Sequence, residues 1–415
     1  MTTRSLILWP RATAKAKLTK AKLSQSQLIT KLTWAANIAA LSGLLAFASP
    51  AMAKGPVEIR VAIKRNAAEI NIGSSVDAIV QNSAGKTIGE IKGMNGFVAS
   101  RQNGQVALDQ WRSGVITVQP KDANGVVWIG DRWYRGRVVI VPTGDGLTAV
   151  NWVDVEQYLY SVLGGEMNGS WHQEALKAQA VAARTYALHK QEKSRNSIYD
   201  VVDTTSSQVY RGIQDESTGT QLAVNATKGQ VLTYNNRLIL AAFHSSAGGQ
   251  TDNVEEVWVQ PLPYLRSVPD FDQDAPVFRW DKSFSQAEIS SLIGCKGGTV
   301  QSFVPVSRTT GQRVKLMDVK TNRGTCRMEG EAIQAKLKLR SSKFNIIAQP
   351  QTVTAADGKS TSKIMNFGVS GSGFGHGLGL SQYGALGMAK KGYNYQQIVA
   401  HYYVNTQLTV IAPAS

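Results

Sequence analysis

The sequence predicts an α+β fold, with a β-rich N-terminal region followed by a core mixing helices and sheet. Two observations predict it. Between residues 56 and 150, the short β-branched runs "VEIRVAI", "DAIVQN", "GVITVQ", "GVVWIG" and "GRVVIV" are separated by Gly, Asn and Asp, the punctuation of strands. Near Val153 the character changes: "VDVEQYLYSVLGGEM" and "SWHQEALKAQAVAARTYALHKQ" are helical, and neither Pro nor Gly interrupts Ser170–Gln191. Three segments result, 1–53, 54–150 and 151–410.

The first segment is a different material from the rest. It holds seven Lys/Arg and no acid, then the apolar run "WAANIAALSGLLAFASP", then "AMA" at Ala51–Ala53. A basic n-region, a short h-region and an A-x-A site describe a secretory signal. The run is short for a membrane span, and a tether through residues 34–49 is the alternative. Either way Lys54 onward is expected outside the cytoplasm, in a periplasm or cell wall. Without this segment the formal net charge falls from +16 to +9. The remaining excess suits an anionic polymer as well as it suits plain solubility. Lys/Arg–aromatic interleaving is missing, so nucleic acid is not an expected partner. In an oxidising compartment Cys295 and Cys326 are expected to form one disulfide, although sequence does not supply the geometry.

The remaining elements follow in order. Ser170 with Gln173 reads as a capping box opening the long helix, whose Leu176, Ala180, Ala183 and Ala187 form a mostly small face for close packing. "GQVLTYNNRLILAAFHSSAGGQT" holds two apolar runs around Asn235-Asn236, the signal of a hairpin with a primed turn, delivering His244, Ser245 and Ser246 to a strand end. Residues 290–350 read as mixed, with "RVKLMDV" and "EAIQAKLKLR" as strands. In "GSGFGHGLGLSQYGA" every odd position from Gly371 to Gly379 is glycine, and the even positions carry Ser372, Phe374, His376, Leu378 and Leu380. Read as extended chain, this is one bare edge that a ligand or another backbone approaches closely. A helix capped by Ser381 and a last helix in "NYQQIVAHYY" close the chain.

Several chemistries are excluded or weakened. "GSGFGHGLG" does not satisfy G-x-G-x-x-G, "GLSQYG" is one residue off a nucleophile elbow, and H-E-x-x-H does not occur. The five histidines are scattered, so neither cofactor nor catalytic metal is expected, with only His244 and His376 as candidates to meet in space. The remaining candidate is Glu166 in "GGEMNGS". Leu163, Met167 and Trp171 surround it in sequence, and an acid held among apolar groups has the raised pKa a general acid needs. Arg184, inside "AVAARTYA", reads either as a snorkelling or ion-paired arginine or as a clamp on a substrate carboxylate.

Five blocks, "VEQYLYSVLGGEM", "EALKAQAVAARTYAL", "SSQVYRG", "ATKGQVLTYNNRLILAAFHSSAGGQT" and "GFGHGLGLSQYGALGMAKKG", resemble the successive signatures of the stage II sporulation protein D (SpoIID)/LytB family, in family order over about residues 150–405. The resemblance implies lytic transglycosylase activity on peptidoglycan glycan strands, preferring in sporulation members strands stripped of stem peptides. It carries the catalytic glutamate onto Glu166 and the motif arginine onto Arg184. It marks His244, Ser245, Ser246, His376, Ser381, Gln382 and Tyr383 as groove-lining. LytB-type relatives imply a second role, a wall-binding enhancer of an N-acetylmuramoyl-L-alanine amidase. A lytic cleavage needs one carboxyl, because the sugar's own C6 hydroxyl attacks, whereas hydrolysis usually needs two. A hydrolytic reading would recruit Asp203 or Glu156, and acyl chemistry at Ser245/His244 lacks an evident orienting acid.

Overall fold

A computed structural model of the chain describes residues 57–258, 260–354 and 360–411. The leader expected at 1–53 lies outside them. The architecture is α+β, and strands dominate residues 58–154 before the first helix.

The N-terminal region folds into two sheets. One has seven strands, with Glu58–Ala67 lying between Val201–Val202 (parallel) and Gly146–Asp154 (antiparallel, Glu58 opposite Asp154). The other has six strands between Arg132–Arg135 and Trp111–Ser113. Alternation supplies the shared interior: Ile59, Val61, Ile70, Ile72, Val118, Ile129, Val138 and Ile140 are buried. The boundary expected at residue 150 falls inside the strand Gly146–Asp154. One hydrophobic core runs from these strands into the helices that follow.

Asp154 ends that strand and caps α1 (Val155–Glu166), its carboxylate accepting from the Glu156 and Gln157 N–H groups. The long helix α2 (Gln173–Lys193) is capped by His172, whose ring accepts from Glu174 N–H. The capping box expected at Ser170 does not form, because Ser170 bonds back to Asn168 instead. α2 is buried on nearly every side between Ala175 and Leu188, and its alanines let it serve as the central packing rod. The helices Thr218–Ala226, Gln382–Lys390 and Tyr395–Tyr402 pack against it. Asn235 and Asn236 both have positive φ, so the primed hairpin turn between Gln230–Tyr234 and Arg237–Leu238 forms as read.

Residues 279–372 form a module with a second core, built on Trp280, Phe284, Ile289, Met317, Ile333, Phe344 and Phe367. One of its sheets orders Arg279–Ser285, Ser360–Ser372 and Phe344–Thr354, with Ser360–Ser372 in the middle. The other joins Val300–Arg308, Val314–Thr321 and Gly324–Glu329. "EAIQAKLKLR", read as a strand, is instead the helix Gly330–Leu337, with Ile333 and Leu337 four apart and both buried. Cys295 and Cys326 are disulfide-bonded across 31 residues. Among the described residues, no helix is long and apolar enough to cross a membrane.

A crosslink closing a loop of that length contributes about 3–4 kcal/mol through the unfolded chain. Cys295→Ser/Cys326→Ser is therefore expected to lower stability by about that amount. Hydrogen exchange should place the loss in residues 279–372, while α2 amides keep their protection.

Candidate active site

The site is built on the end of α1. A Cβ on Gly164 would collide with the Asp215 carbonyl, and one on Gly165 would come within 2.8 Å of the Val209 carbonyl oxygen. Glycine at both positions lets residues 208–215 run directly against the helix end, and Val209 N–H donates to Glu166 Oε1 at 2.7 Å. That segment is pinned in turn. Gln208 accepts from Tyr158 OH (3.1 Å) and donates to Ala183 O (3.2 Å), and Tyr210 OH donates to Asn151 (2.8 Å).

Glu166 keeps part of its surface while its carboxyl is largely enclosed. Desolvation holds its pKa above the ordinary value near 4.5, outweighing the Val209 N–H, the Gln382 side chain and the Arg211 charge, which favour the anion. Its place at the negative end of a helix dipole acts in the same direction as desolvation. Buried Gln382 stands beside the carboxyl, yet its Nε2 makes no bond of hydrogen-bond geometry and is an unspent donor. Tyr186 is also near, its hydroxyl pushed up to about 12 by desolvation and by the Glu166 charge.

Partly exposed aromatic rings lie on the segments that follow the acid and carry Tyr186 and Gln382. Trp171 packs on Tyr383 at 4.9 Å between centroids, and Tyr186 on Phe243 at 6.2 Å. Phe243 O contacts His376 Nε2 at 2.9 Å, and the His376 ring lies 5.3 Å from the exposed Trp258. Phe374 is exposed nearby in sequence. Such faces suit sugar rings, which present C–H patches between hydroxyls. Sequence reasoning missed Val209 N–H, Tyr186 and Trp258. The backbone donor has no residue signature, and a lone Tyr or Trp in a helical or loop stretch reads as core.

The other expected site residues divide. His244 and His376 do meet, with ring centroids 5.2 Å apart. Burial, helped by the Arg313 charge, keeps both neutral, with His376 lowered to about 4. His244 pairs with Ser381 along the parallel strands Phe243–His244 and Leu380–Ser381, next to Gln382. The Ser245 carbonyl accepts from Tyr383 N–H. Ser246 is fully buried and donates to Asp272 at 2.5 Å, while Ser381 is fully buried and caps its helix through Gly384 N–H. Those two serines hold the loop and the helix rather than face solvent. Among the described residues, no His/Cys/Asp/Glu group has metal-holding geometry.

Two readings are corrected. Arg184 is no free clamp: it is fully buried and forked onto Glu156, Nε to Oε1 at 2.9 Å and Nη2 to Oε2 at 2.5 Å, with further bonds to the Gln230, Ala180 and Val224 carbonyls. Glu156 also accepts from Gly229 N–H, so it is committed and unavailable as a partner acid. The second candidate acid, Asp203, is raised to about 6 by burial and answers to Lys64, Arg65 and Arg132 of the N-terminal sheets. The glycine run is not extended chain beyond Ser372. Gly373, Gly375, Gly377 and Gly379 all have positive φ. Their bare sides meet protein: Ser246 O, His244 Cβ, the Arg313 guanidinium and Ala242 O. Close approach is the reason for the glycines, and what approaches is this chain itself.

Comparison with known proteins now bears on the site. The family described as Stage II sporulation protein matches residues 143–234, which include Glu166, Arg184 and Val209, and a domain of unknown function matches residues 262–379. Stage II sporulation protein D of Bacillus subtilis is 34% identical over 278 residues, covering 62% of this chain and 75% of the relative. The Bacillus amyloliquefaciens protein of the same name is 31% identical, covering 62% and 74%. The amidase enhancer of Bacillus subtilis is 33% identical, covering 60% of this chain and 40% of the relative.

Arg184→Ala would leave the buried Glu156 carboxylate uncompensated and is expected to cost about 3–5 kcal/mol. Chemical denaturation checks this. A substrate clamp would instead leave stability unchanged and raise KM alone.

Proposed function

Because this chain belongs to the stage II sporulation protein D (SpoIID) family, we propose that it is an exported lytic transglycosylase acting on peptidoglycan, cleaving the MurNAc–GlcNAc bond with formation of 1,6-anhydro-MurNAc. The observation carrying this reading is the enclosed carboxyl of Glu166, whose pKa burial raises above the ordinary carboxylate value. Its proton goes to the bridging oxygen as the C1–O bond breaks, and the C6 hydroxyl of the same sugar bonds to C1. The Glu166 carboxylate then takes the C6 hydroxyl proton, which restores the starting state. The internal nucleophile replaces an activated water, so a second carboxylate is not needed, consistent with Glu156 being spent on Arg184. Val209 N–H fixes Glu166 Oε1, and the buried Gln382 side chain favours the carboxylate left after proton transfer. Glycan lacking stem peptides is the proposed substrate, and the basic leader and the disulfide suit export to a periplasm or wall.

A second reading has its own support in the amidase enhancer relative: a wall-binding protein that stimulates an N-acetylmuramoyl-L-alanine amidase without cutting glycan. Incubating purified glycan with the protein and analysing sugar ends by mass spectrometry separates the two. The enzyme gives anhydro ends that Glu166→Gln abolishes. The enhancer gives no new ends but raises peptide release by an added amidase, and it keeps doing so as Glu166→Gln.

The raised pKa fixes a further pair of outcomes. Cleavage should fall as pH rises through the Glu166 titration, since the acid form is consumed. Ionising an enclosed carboxyl destabilises the fold, so the stability from its protonated form is present below its ordinary value near 4.5 and is lost as pH rises through the higher folded value. Glu166→Gln removes that loss. Its Tm should exceed that of the parent at pH 7, with the difference closing near pH 4; an equal Tm at both would contradict an enclosed carboxyl.

A further inference from the structure

The module between residues 279 and 372 carries a trough that the Glu166 chemistry does not use. Its floor is the outer face of the middle strand Ser360–Ser372, where Gly368, Ser370 and Ser372 are small. Flanking strands supply taller walls: Arg279 pairs with Ser372, Asp281 and Asn345 with Ser370, and Ile347 with Gly368. Small residues between long ones leave a groove, occupied by two adjoining cavities of about 550 and 560 Å³ that share Asp281 and Ser370.

One end of the groove gathers Arg279, Arg308 and Lys343 around a single acid, Asp281. Among the described residues none of these three cations has a carboxylate within ion-pair distance. Arg308 is oriented entirely by neutral acceptors, the carbonyls of Gln312 and Phe344 and the Asn345 side chain at 2.7 Å. Lys343 donates to Gly248 O at 2.6 Å. Burial lowers the pKa of both Arg308 and Lys343; for Lys343 the Arg313 charge adds to it, and the charges of Asp252, Asp272 and Asp270 oppose it. A guanidinium held in place by neutral acceptors, lining an open cavity and with Nε–H and one Nη1 hydrogen unspent, can give an oxyanion a single charge-assisted contact.

We propose that this trough is a second binding site that takes a carboxylate-bearing saccharide segment, with Arg308 giving it one charge-assisted contact and Arg279 and Lys343 beside it. The choice of saccharide rests on the glycan reading above and on the floor. Hydroxyls and a bare glycine offer hydrogen bonds and room for a ring, and the charged end is lined mostly by charged and polar side chains. The floor strand is paired on both edges, which closes it to strand addition. The charged end is tied to the loop that follows His244 and Ser246, because Lys343 holds Gly248, and Ser372 leads into Gly373.

Calorimetric titration of the full chain carrying Glu166→Gln isolates binding from turnover. The probes are a GlcNAc–MurNAc tetrasaccharide with free lactyl carboxylates, chitotetraose as its neutral counterpart, and a tetraglutamate peptide. The acidic sugar is expected to bind about tenfold or more tightly than chitotetraose, as for one gained charge-assisted contact. Arg308→Gln and, separately, Arg279→Gln should erase most of that preference while chitotetraose binding stays the same. Arg279 is exposed and, among the described residues, its side chain makes only a ring contact with Phe278, so its variant reads the site even if Arg308→Gln does not fold. A preference untouched by the substitutions overturns the proposal, and tetraglutamate binding at least as tightly as the acidic sugar overturns the saccharide assignment. The readout does not depend on cleavage, so loss of the lytic reading and loss of this site are told apart.

Discussion

The Arg184–Glu156 pair is the constraint on which the rest of the core depends. One guanidinium on α2 holds the first turn of α1 through Glu156, the strand Gln230–Tyr234 through Gln230 O, and the helix Thr218–Ala226 through Val224 O. Glu156 returns a bond from Gly229 N–H, so four segments distant in sequence are clamped around one buried charge pair. Its energetic worth lies less in net stability than in uniqueness, since any shift of α1 along α2 strands a charge in the interior. Because Glu166 sits at the far end of the same α1, the pair fixes where the acid stands without touching substrate.

A second constraint is backbone proximity. Gly164 and Gly165 admit the 208–215 segment to the acid, and Gly373–Gly379 admit the 242–248 loop and Arg313 to the histidine side of the site. In both places glycine is used so that two stretches of protein touch.

The parts legible in the sequence are those with local causes. The strand-rich start, the long alanine-lined helix, the Asn-Asn turn, the Ser381 cap and the acid behind two glycines all follow from short-range pattern, and the structure has each of them. Ser170 lost its capping role to His172 because Asn168 offers it a closer partner. "EAIQAKLKLR" misled because a short run with alternating lysines fits a strand as well as one helical face. Arg184 left two readings open because the acid that claims it lies 28 positions away in the chain. The glycine run was read with the right reason, close approach, but its neighbour stayed open between ligand and backbone, since periodicity shows that one side is bare but not what lies against it. Val209 N–H was beyond reach, as every residue but proline carries the same donor.

The module of residues 279–372 leaves and rejoins the chain at one place: Arg279 is paired with Ser372, and Gly373 N–H bonds Phe278 O at 3.0 Å. Its two ends are thus already adjacent, and its interior is separate from the one around α2. A segment with that geometry adds little closure entropy to the host. It can lengthen, shrink or be exchanged over evolutionary time while the acid and its supports stay in register, which makes it the part of the molecule freest to adapt to a different wall.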